Sequence, residues 1–391
     1  MPLQHRRIPR VALIIESKRE YGRRILDGIA RYLQENEPWE IFIEPRSLHD
    51  PAPQWLTDWQ GDGIIARIMD DHALNQVKQK GIPLVNLKGI VSDAVNPPDF
   101  SVNRFSIGQM AAAHLMERQF RNFAFAGFRD TRWSELIFEG FSQTLKEHGF
   151  ECDTFHNTLQ FTDSYREVAM EREIDVTAEW LRTLPAPVGI VAADDYLGIQ
   201  LLSACHKIGR KVPDQAAVLG LGDDATLCRL TSPTLSSLRY NEELLGFKAA
   251  ELLDRRMHGD TTPHFPEKIE PLGITVRHST DVTAIQDPLV RDALGWIREN
   301  VTRDIRLDDL VRHLEISKST LERRFRKVLK RSVYDTILDW RMRHVMELLS
   351  GTDMPIKKIA HVSGFRHLEH LNNLFKQRIG VSPSQFRSQT K

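Results

Sequence analysis

The chain has 391 residues, of which 41% are hydrophobic and 27% charged, and its formal net charge is zero. This length allows two or three domains with cores of their own, and the composition is that of a globular protein. The longest apolar runs, such as Val11–Ile15, cannot span a bilayer, and Met1–Arg10 lacks the apolar core of a signal peptide. Three cysteines without a CxxC pair, Cys152, Cys205 and Cys228, indicate reduced thiols. We expect a cytoplasmic protein with no membrane partner, metal or cofactor.

The zero net charge hides two halves of opposite sign. From Asp287 to Lys391 there are 21 Lys+Arg against 13 Asp+Glu, a net charge of +8, whereas the remainder has 32 against 40. A basic C-terminal part on an acidic body predicts a polyanionic partner for that part only.

Residues 10–276 alternate between short apolar segments and amphipathic segments. The predicted strands are Val11–Ile15, Glu40–Ile43, Gly63–Ala66, Leu84–Leu87, Phe123–Ala126, Gly189–Ala192 and Ala216–Leu219. The predicted helices are Tyr21–Gln34, Phe105–Met116, Glu135–Lys146, Ala178–Leu184, Leu197–Ile208 and Glu243–Met257. This order predicts parallel sheets covered by helices, in two lobes because the segment is long for one sheet. Ligands of such folds bind at the carboxyl ends of the strands.

The polar stretch Arg277–Pro288 is a predicted linker, which gives domains at 1–276 and 289–391. Beyond it, an amphipathic segment starting at Leu307 leads to Ser317, a good N-cap for a second helix. Inward-facing positions of that second helix are predicted to be Leu321, Phe325 and Val328.

A similar pair of helices recurs about fifty residues later. Ile356, Ile359 and Ala360 form its first stripe, Gly364 makes the turn, and the predicted core residues are Phe365, Leu371 and Phe375. Two amphipathic helices joined by a short turn, the second basic on its outer side, are typical of a helix-turn-helix that enters the major groove. A helical bundle with a solvated basic face is the alternative, and the same apolar residues would form its core.

These two units, the connecting helix Val333–Leu349 and the ending Gly380–Arg387 resemble the AraC family of transcription regulators. The ending follows the family's pattern of Gly, any residue, Ser or Thr, Pro, any two residues, an aromatic residue and Arg. The resemblance implies operator DNA and RNA polymerase as partners, and it favours an activator over a repressor. By position it implies DNA-binding residues Lys318, Ser319, Glu322, Arg323, Arg326, Lys327, Arg366, His367, Glu369, Asn373 and Lys376.

Within this set, the resemblance divides base contacts from phosphate contacts. Ser319, Glu322, Arg323, His367, Glu369 and Asn373 would read bases. Arg326, Lys327 and Lys376 would contact phosphates, which position a protein without specifying sequence. A carboxylate can accept a hydrogen bond from cytosine N4 but repels phosphate, so the two glutamates favour base reading.

Residues 10–276 resemble the LacI/GalR-type effector domain, which has the periplasmic-binding-protein fold. The resemblance rests on Arg10–Ile15, Gly61–Ile65, Val188–Asp195, Val218–Gly220 and Ser232–Leu238, taken in order. The fold class is thus an α/β two-lobed periplasmic-binding-protein-like domain followed by an all-α double helix-turn-helix domain. The combination implies a homodimer that responds to a sugar, with D-xylose favoured; a different small molecule remains the alternative.

Effector candidates combine polar groups for hydroxyls with aromatic faces for C–H surfaces. They are Ser17, Tyr21, Asn103, Arg132, Trp133 (in the loop after Gly127), Asp194 and Asp223. The pairs that begin at Asp194 and Asp223 are alternatively helix N-caps.

Two positions depart from the LacI/GalR pattern. Ile137 stands where an Arg usually precedes the Gly-Phe pair, and Gly222 stands where an Asp is usual. A neighbour such as Arg132 or Asp223 would take over their role, or the effector differs from the family's sugar. An exported transport protein would not need the basic tail. The chain has no P-loop, GxSxG or HExxH motif, and we expect neither an enzyme nor catalytic residues.

Overall fold

The computed structural model describes residues 7–47, 50–68, 71–87, 98–129, 131–157, 167–281, 287–300, 302–303, 305–352 and 354–390. It divides the chain into two compact units, Met1–Thr283 (unit 1) and Ala284–Lys391 (unit 2). Among the residues described, no helix is both long and apolar enough to cross a bilayer. All three cysteines are described, and none forms a disulfide bond.

Unit 1 alternates strands and helices, as the sequence predicts. Its strands are β1 (Arg10–Ile14), β2 (Glu40–Ile43), β3 (Gly63–Ala66), β4 (Leu84–Asn86), β5 (Phe100–Val102), β6 (Asn122–Phe128), β7 (Cys152–Asn157), β8 (Val188–Ala192), β9 (Ala216–Leu221), β10 (Ser236–Arg239), β11 (Glu267–Ile269) and β12 (Gly273–Thr275). Its α-helices are α1 (Glu20–Glu35), α2 (Asp71–Gln79), α3 (Arg104–Glu117), α4 (Arg132–Glu147), α5 (Glu167–Thr183), α6 (Asp195–Lys207), α7 (Ala225–Leu230) and α8 (Glu242–Met257).

The strands form one sheet in each of two lobes. Lobe 1 has a parallel sheet in the order β2-β1-β3-β4. Lobe 2 has the order β12-β10-β9-β8-β6-β7, which is parallel except where β12 pairs with β10. The chain crosses between the lobes before α3, before α8 and before β12, and β5 pairs with β11 beside two of these crossings. The carboxyl ends of β1, β3, β6, β8 and β9 are therefore brought to the space between the lobes.

The helix pairs α1–α8 and α3–α4 cross at glycines, because only a residue without a Cβ lets the two backbones come so close. A Cβ on Gly246 of α8 would lie 2.0 Å from the carbonyl oxygen of Ile25 in α1. A Cβ on Gly108 of α3 would lie 2.0 Å from the carbonyl oxygen of Ile137 in α4. Ile137 itself is fully buried. The residue that stands at the family's arginine position therefore belongs to the core of lobe 2.

The regular elements of unit 2 are all helices in the part of the chain that the structure describes. Its helices are α9 (Pro288–Asn300), α10 (Leu307–His313), α11 (Lys318–Leu329), α12 (Val333–Gly351), α13 (Ile356–Val362), α14 (Leu368–Ile379) and α15 (Pro383–Thr390). Helix α12 contributes to two apolar cores, with Ile337 and Trp340 in the first and Met342 and Val345 in the second. The first core includes α9, α10 and α11, and the second includes α13 and α14. Each helix pair thus has its own core, and α12 joins them.

Several expectations are corrected by the structure. Trp133 lies in the first turn of α4 and not in a loop, because that helix begins three residues before the predicted start at Glu135. Val328 is 36% exposed, and its neighbour Leu329 packs against the first core instead. Short strands such as β5, β7 and β11, and the helix α7, were not predicted, since periodicity is weak over three to six residues.

The predicted linker begins inside unit 1. Thr280 is fully buried, its carbonyl accepts a hydrogen bond from Arg118 at 2.8 Å, and its hydroxyl lies 3.0 Å from the ring of His114. Ser279 donates a hydrogen bond to the carbonyl of Val218. The first residues of 277–288 are therefore packed on lobe 2, residues 282–286 lie outside the described ranges, and α9 starts at residue 288.

Candidate functional site

The lobe 1 wall of the cleft contains a buried ion pair. Glu16 and Ser17 follow β1, Arg67 follows β3, and the guanidinium of Arg67 is paired with the carboxylate of Glu16. Both residues are under 10% exposed, and Oε2 of Glu16 has no hydrogen-bond partner. Ser17 is used locally, because its backbone N–H and hydroxyl bond the backbone of Arg46. This carboxylate oxygen is unsatisfied but enclosed, so the side chains around it must move before a ligand hydroxyl can use it as an acceptor.

Three aromatic rings surround Arg104, the first residue of α3. The Cζ atom of Arg104 lies 4.9 Å from the ring centroid of Tyr240, 5.7 Å from that of Trp133 and 5.9 Å from that of Tyr21. Tyr21 belongs to lobe 1, Trp133 belongs to lobe 2, and Tyr240 follows β10 at a crossing. Cation–π attraction holds this group together where the lobes meet. Arg67 also contacts Tyr21, with Cζ 4.5 Å from the ring centroid.

Direct contacts hold the lobes together beside this group. Arg24 of α1 donates to the backbone carbonyls of Gly222 and Asp223, the latter at 2.6 Å. Arg19 lies over the ring of Tyr196, at 5.3 Å. Since these contacts join one lobe to the other, a change in lobe closure would break or form them.

Two sequence-predicted carboxylates occupy different environments. Asp194 is the N-cap of α6 and accepts from the backbone N–H of Leu197 at 2.8 Å; burial raises its pKa. Asp223 is 4% exposed, and it pairs with Arg277 at 2.7 Å and accepts from the hydroxyl of Thr275. Asp223 therefore binds side chains within lobe 2, whereas Asp194 lies at the end of β8 near Arg19.

The remaining effector candidates are used by the fold in other ways. Asn103 caps α3 by accepting from the backbone of Ser106, and its amide donates to Glu270. The Arg132 side chain is 37% exposed and pairs with Glu139 at 2.6 Å, so it does not replace the arginine missing at Ile137. Of the predicted set, the structure brings Tyr21 and Trp133 together.

Sequence reasoning missed Glu16, Arg67, Arg104 and Tyr240. Glu16, Arg67 and Tyr240 each stand one or two residues after a strand, and Arg104 follows β5 and opens α3. Position after a predicted strand was therefore a usable signal for Glu16 and Arg67. Strands β5 and β10 were not predicted, so the same signal was absent for Arg104 and Tyr240.

In unit 2 the predicted DNA-binding residues lie on the outer faces of α11 and α14, except that Arg366 and His367 directly precede α14. Of these, Glu322 is half-buried and the others are exposed: Lys318, Ser319, Arg323, Arg326, Lys327, Arg366, His367, Glu369, Asn373 and Lys376. Leu321 and Phe325 on α11, and Leu371 and Phe375 on α14, are fully buried on the opposite faces. Each helix therefore presents one polar face to solvent.

Other basic residues of unit 2 are bound within it. Arg324 pairs with Asp287 at 2.9 Å, and Arg331 and Arg378 both bind the carboxylate of Asp339 on α12. The hydroxyl of Ser317 caps α11 by accepting from the backbone of Thr320. These contacts tie α11 to Asp287 and α14 to α12.

Known families match three parts of the chain. Residues 10–103 match the XylR N-terminal domain, residues 112–280 match the periplasmic binding protein-like domain, and residues 310–389 match a helix-turn-helix domain.

Whole proteins of the same organisation are similar along nearly the full chain. The xylose operon regulatory proteins of Haemophilus influenzae and Escherichia coli are each 26% identical over 97% of this chain, and the matches cover 98% and 96% of those proteins. The solved structure of a xylose-binding transcription activator, XylR, is 25% identical with a TM-score of 0.82, and covers 98% of this chain and 99% of its own. These relatives are transcription regulators and not enzymes. The chain is therefore a transcription regulator with the architecture of the xylose operon regulatory proteins, in which a periplasmic binding protein-like domain precedes a helix-turn-helix domain.

Proposed function

We propose that this regulator binds a sugar between the lobes of unit 1 and operator DNA through α11 and α14 of unit 2. The observation that carries the effector proposal is the meeting of Tyr21, Trp133 and Tyr240 around Arg104, beside the unsatisfied carboxylate oxygen of Glu16. Aromatic faces suit the C–H surfaces of a sugar, and charged groups suit its hydroxyls. We assign effector binding to unit 1 and DNA binding to unit 2, with residues after 281 joining them.

D-xylose is the first effector to test, because the full-length relatives carry xylose in their names. The two departures from the family pattern bear directly on the ligand. Ile137 is buried in lobe 2, and Gly222, with φ of +124°, has a backbone that disfavours a side chain. The cleft therefore lacks the guanidinium and the carboxylate that the family pattern has at those two positions, so either neighbouring groups take over their role or the effector differs.

On DNA we propose that Ser319, Arg323, His367, Glu369 and Asn373 read base edges. Arg326, Lys327, Lys376, Lys318 and Arg366 would bind phosphates. Glu322 is the exception in the sequence-derived set: it is half-buried with one carboxylate oxygen unsatisfied and enclosed, so it must turn outward to reach a base.

We further propose a cytoplasmic homodimer that activates transcription through contact with RNA polymerase. The support is the relationship to a protein described as an activator and the gain in effective concentration when two linked DNA-binding units bind adjacent half-sites. Sedimentation of the free protein and of its complex with a two-half-site duplex measures the stoichiometry. One copy per duplex would contradict the dimer.

The function is tested by two measurements on the full chain. Repeated selection from a random duplex library defines the operator sequence, if one exists. Calorimetric titration with D-xylose, D-ribose, L-arabinose and D-glucose then tests the cleft, with Trp133→Ala as the variant expected to lose binding. If no sequence is enriched, the proposal of sequence-specific DNA binding is wrong. If Trp133→Ala leaves sugar binding unchanged, the sugar site is not at Trp133.

A further inference from the structure

Arg104 is a cation without a counter-ion among the described residues. Its guanidinium is surrounded by rings from Tyr21, Trp133 and Tyr240 and forms no ion pair within the described ranges. A guanidinium has five N–H donors in one plane and accepts nothing. Its Cζ lies over the three rings, and these cation–π contacts supply no acceptor to the N–H donors. The planar fork of a guanidinium matches a bidentate anionic partner in geometry and charge.

The carboxylates close to this cation have arginines of their own. Glu16 is bound by Arg67. Glu242 lies 3.9 Å from Arg24, which also pairs with Glu20 at 3.3 Å. Arg104 is close enough to Glu242 to lower its pKa, but it forms no ion pair with it. Arg104 is therefore a positive charge of the cleft that these neighbouring carboxylates do not pair.

A second arginine adds to the positive character of the lobe 1 wall. Arg46 is 2% exposed, and its Nε and Nη1 atoms have no hydrogen-bond partner. Its other nitrogen donates to the backbone carbonyls of Asp50 and Pro51. The carboxylates of Glu16, Glu44 and Asp50 act on it from a distance. Burying a guanidinium is unfavourable unless charge and hydrogen bonds compensate it.

We propose that the effector is a sugar acid whose carboxylate is bound edge-on by Arg104 while its C–H face lies against Trp133 and Tyr21. This inference rests on the proposed function of the cleft as an effector site. A carboxylate supplies one negative charge, which would pair with the guanidinium of Arg104, since Arg67 is already neutralised by Glu16. A sugar phosphate is the second anion that the same fork could bind, and the titrations below separate the two. A neutral sugar would leave the cation unpaired.

The test compares each acid with its own neutral sugar on the full-length protein. Calorimetric titrations use D-xylose against D-xylonate, D-glucose against D-glucuronate and D-gluconate, and D-galactose against D-galacturonate, with D-glucose 6-phosphate as the phosphate probe. We expect at least one acid to bind ten or more times more tightly than its neutral counterpart. That preference should disappear in Arg104→Gln, which keeps polarity but removes the charge.

Two further variants make the result specific. Arg104→Lys keeps the charge without the planar fork, so it should retain part of the preference. Arg182→Gln is the matched control: it removes an exposed arginine of α5, which lies before β8 at the edge opposite the cleft, and it should leave all affinities unchanged. If Arg104→Gln does not fold, the wild-type comparison and Arg104→Lys decide.

The outcomes separate the inference from the function beneath it. If a neutral sugar binds as tightly as its acid or more tightly, the sugar-acid inference is wrong and the cleft remains a sugar site. If the sugar phosphate binds most tightly, the assignment of a carboxylate as the bound anion is wrong. Absence of binding by every compound would overturn both the inference and the proposed cleft.

Discussion

At the scale of single residues, two exposed basic side chains of α11 are expected to behave differently on DNA. Arg323→Ala should lose about 1–3 kcal/mol of discrimination at one base position, because a guanidinium reads base edges. Lys327→Ala should weaken binding to all DNA sequences alike. It should also reduce the slope of log affinity against log salt by about 1, the value for one lost phosphate contact. Anisotropy titrations over a panel of altered operators, at several salt concentrations, measure both. Identical profiles for the two variants would contradict the division into base and phosphate contacts.

A second residue-scale prediction concerns Glu242, which is 2% exposed at the start of α8. Burial, opposed by its own backbone hydrogen bond and by Arg24, raises its pKa to about 7, above the ordinary 4.5. The folded state then holds this proton more tightly than the unfolded state. Its contribution to the free energy of unfolding is therefore fully present below pH 4.5 and is lost as pH rises to about 7, by up to about 3 kcal/mol.

Glu242→Gln removes that titration and keeps the shape of the side chain. Chemical denaturation at pH 5 and pH 8 should show that the wild type loses more stability between the two than the variant does. The variant should be the more stable of the two at pH 8. Parallel pH profiles would show that the carboxyl group is already ionised at pH 5 in the folded protein.

At the scale of elements, the recognition helix α11 depends on its cap. Ser317 accepts from the backbone N–H of Thr320 and leaves one fewer unsatisfied donor at the helix start. Ser317→Ala should destabilise this end by about 1 kcal/mol. Amide hydrogen exchange in the first turn should then be about fivefold faster, with weaker operator binding. Ser388→Ala, the same change in the exposed face of α15, is the control and should alter neither measurement.

At the scale of the whole molecule, effector and operator should be coupled. The contacts of Arg24 and Arg19 across the lobes would differ between open and closed cleft, so an effector that favours one state shifts the regulator toward it. Linkage then requires that operator DNA change effector affinity by the same factor as effector changes operator affinity. Calorimetry with and without the selected operator measures this factor. Equal effector affinities, for a ligand that occupies the cleft, would leave the two units as independent binders.

The sequence alone determined the alternation of the longer strands and helices and the double helix-turn-helix. Periods of two and 3.6 residues, Ser317 as a cap, Gly364 as a turn and the Gly380–Arg387 ending are local signals that neighbouring residues fix. Local signals also identified the apolar faces of α11 and α14, whose buried residues agree with the sequence pattern.

Only the tertiary structure decided which polar residues form the cleft. Arg104 and Tyr240 are 136 positions apart in sequence. Their contacts with Tyr21 and Trp133 depend on the crossings between the lobes. The tertiary structure likewise buries Ile137 in the core of lobe 2 and pairs the carboxylate of Asp223 with Arg277. Charge pairing is a property of distance in space, and no local pattern reports which cation is left without a partner.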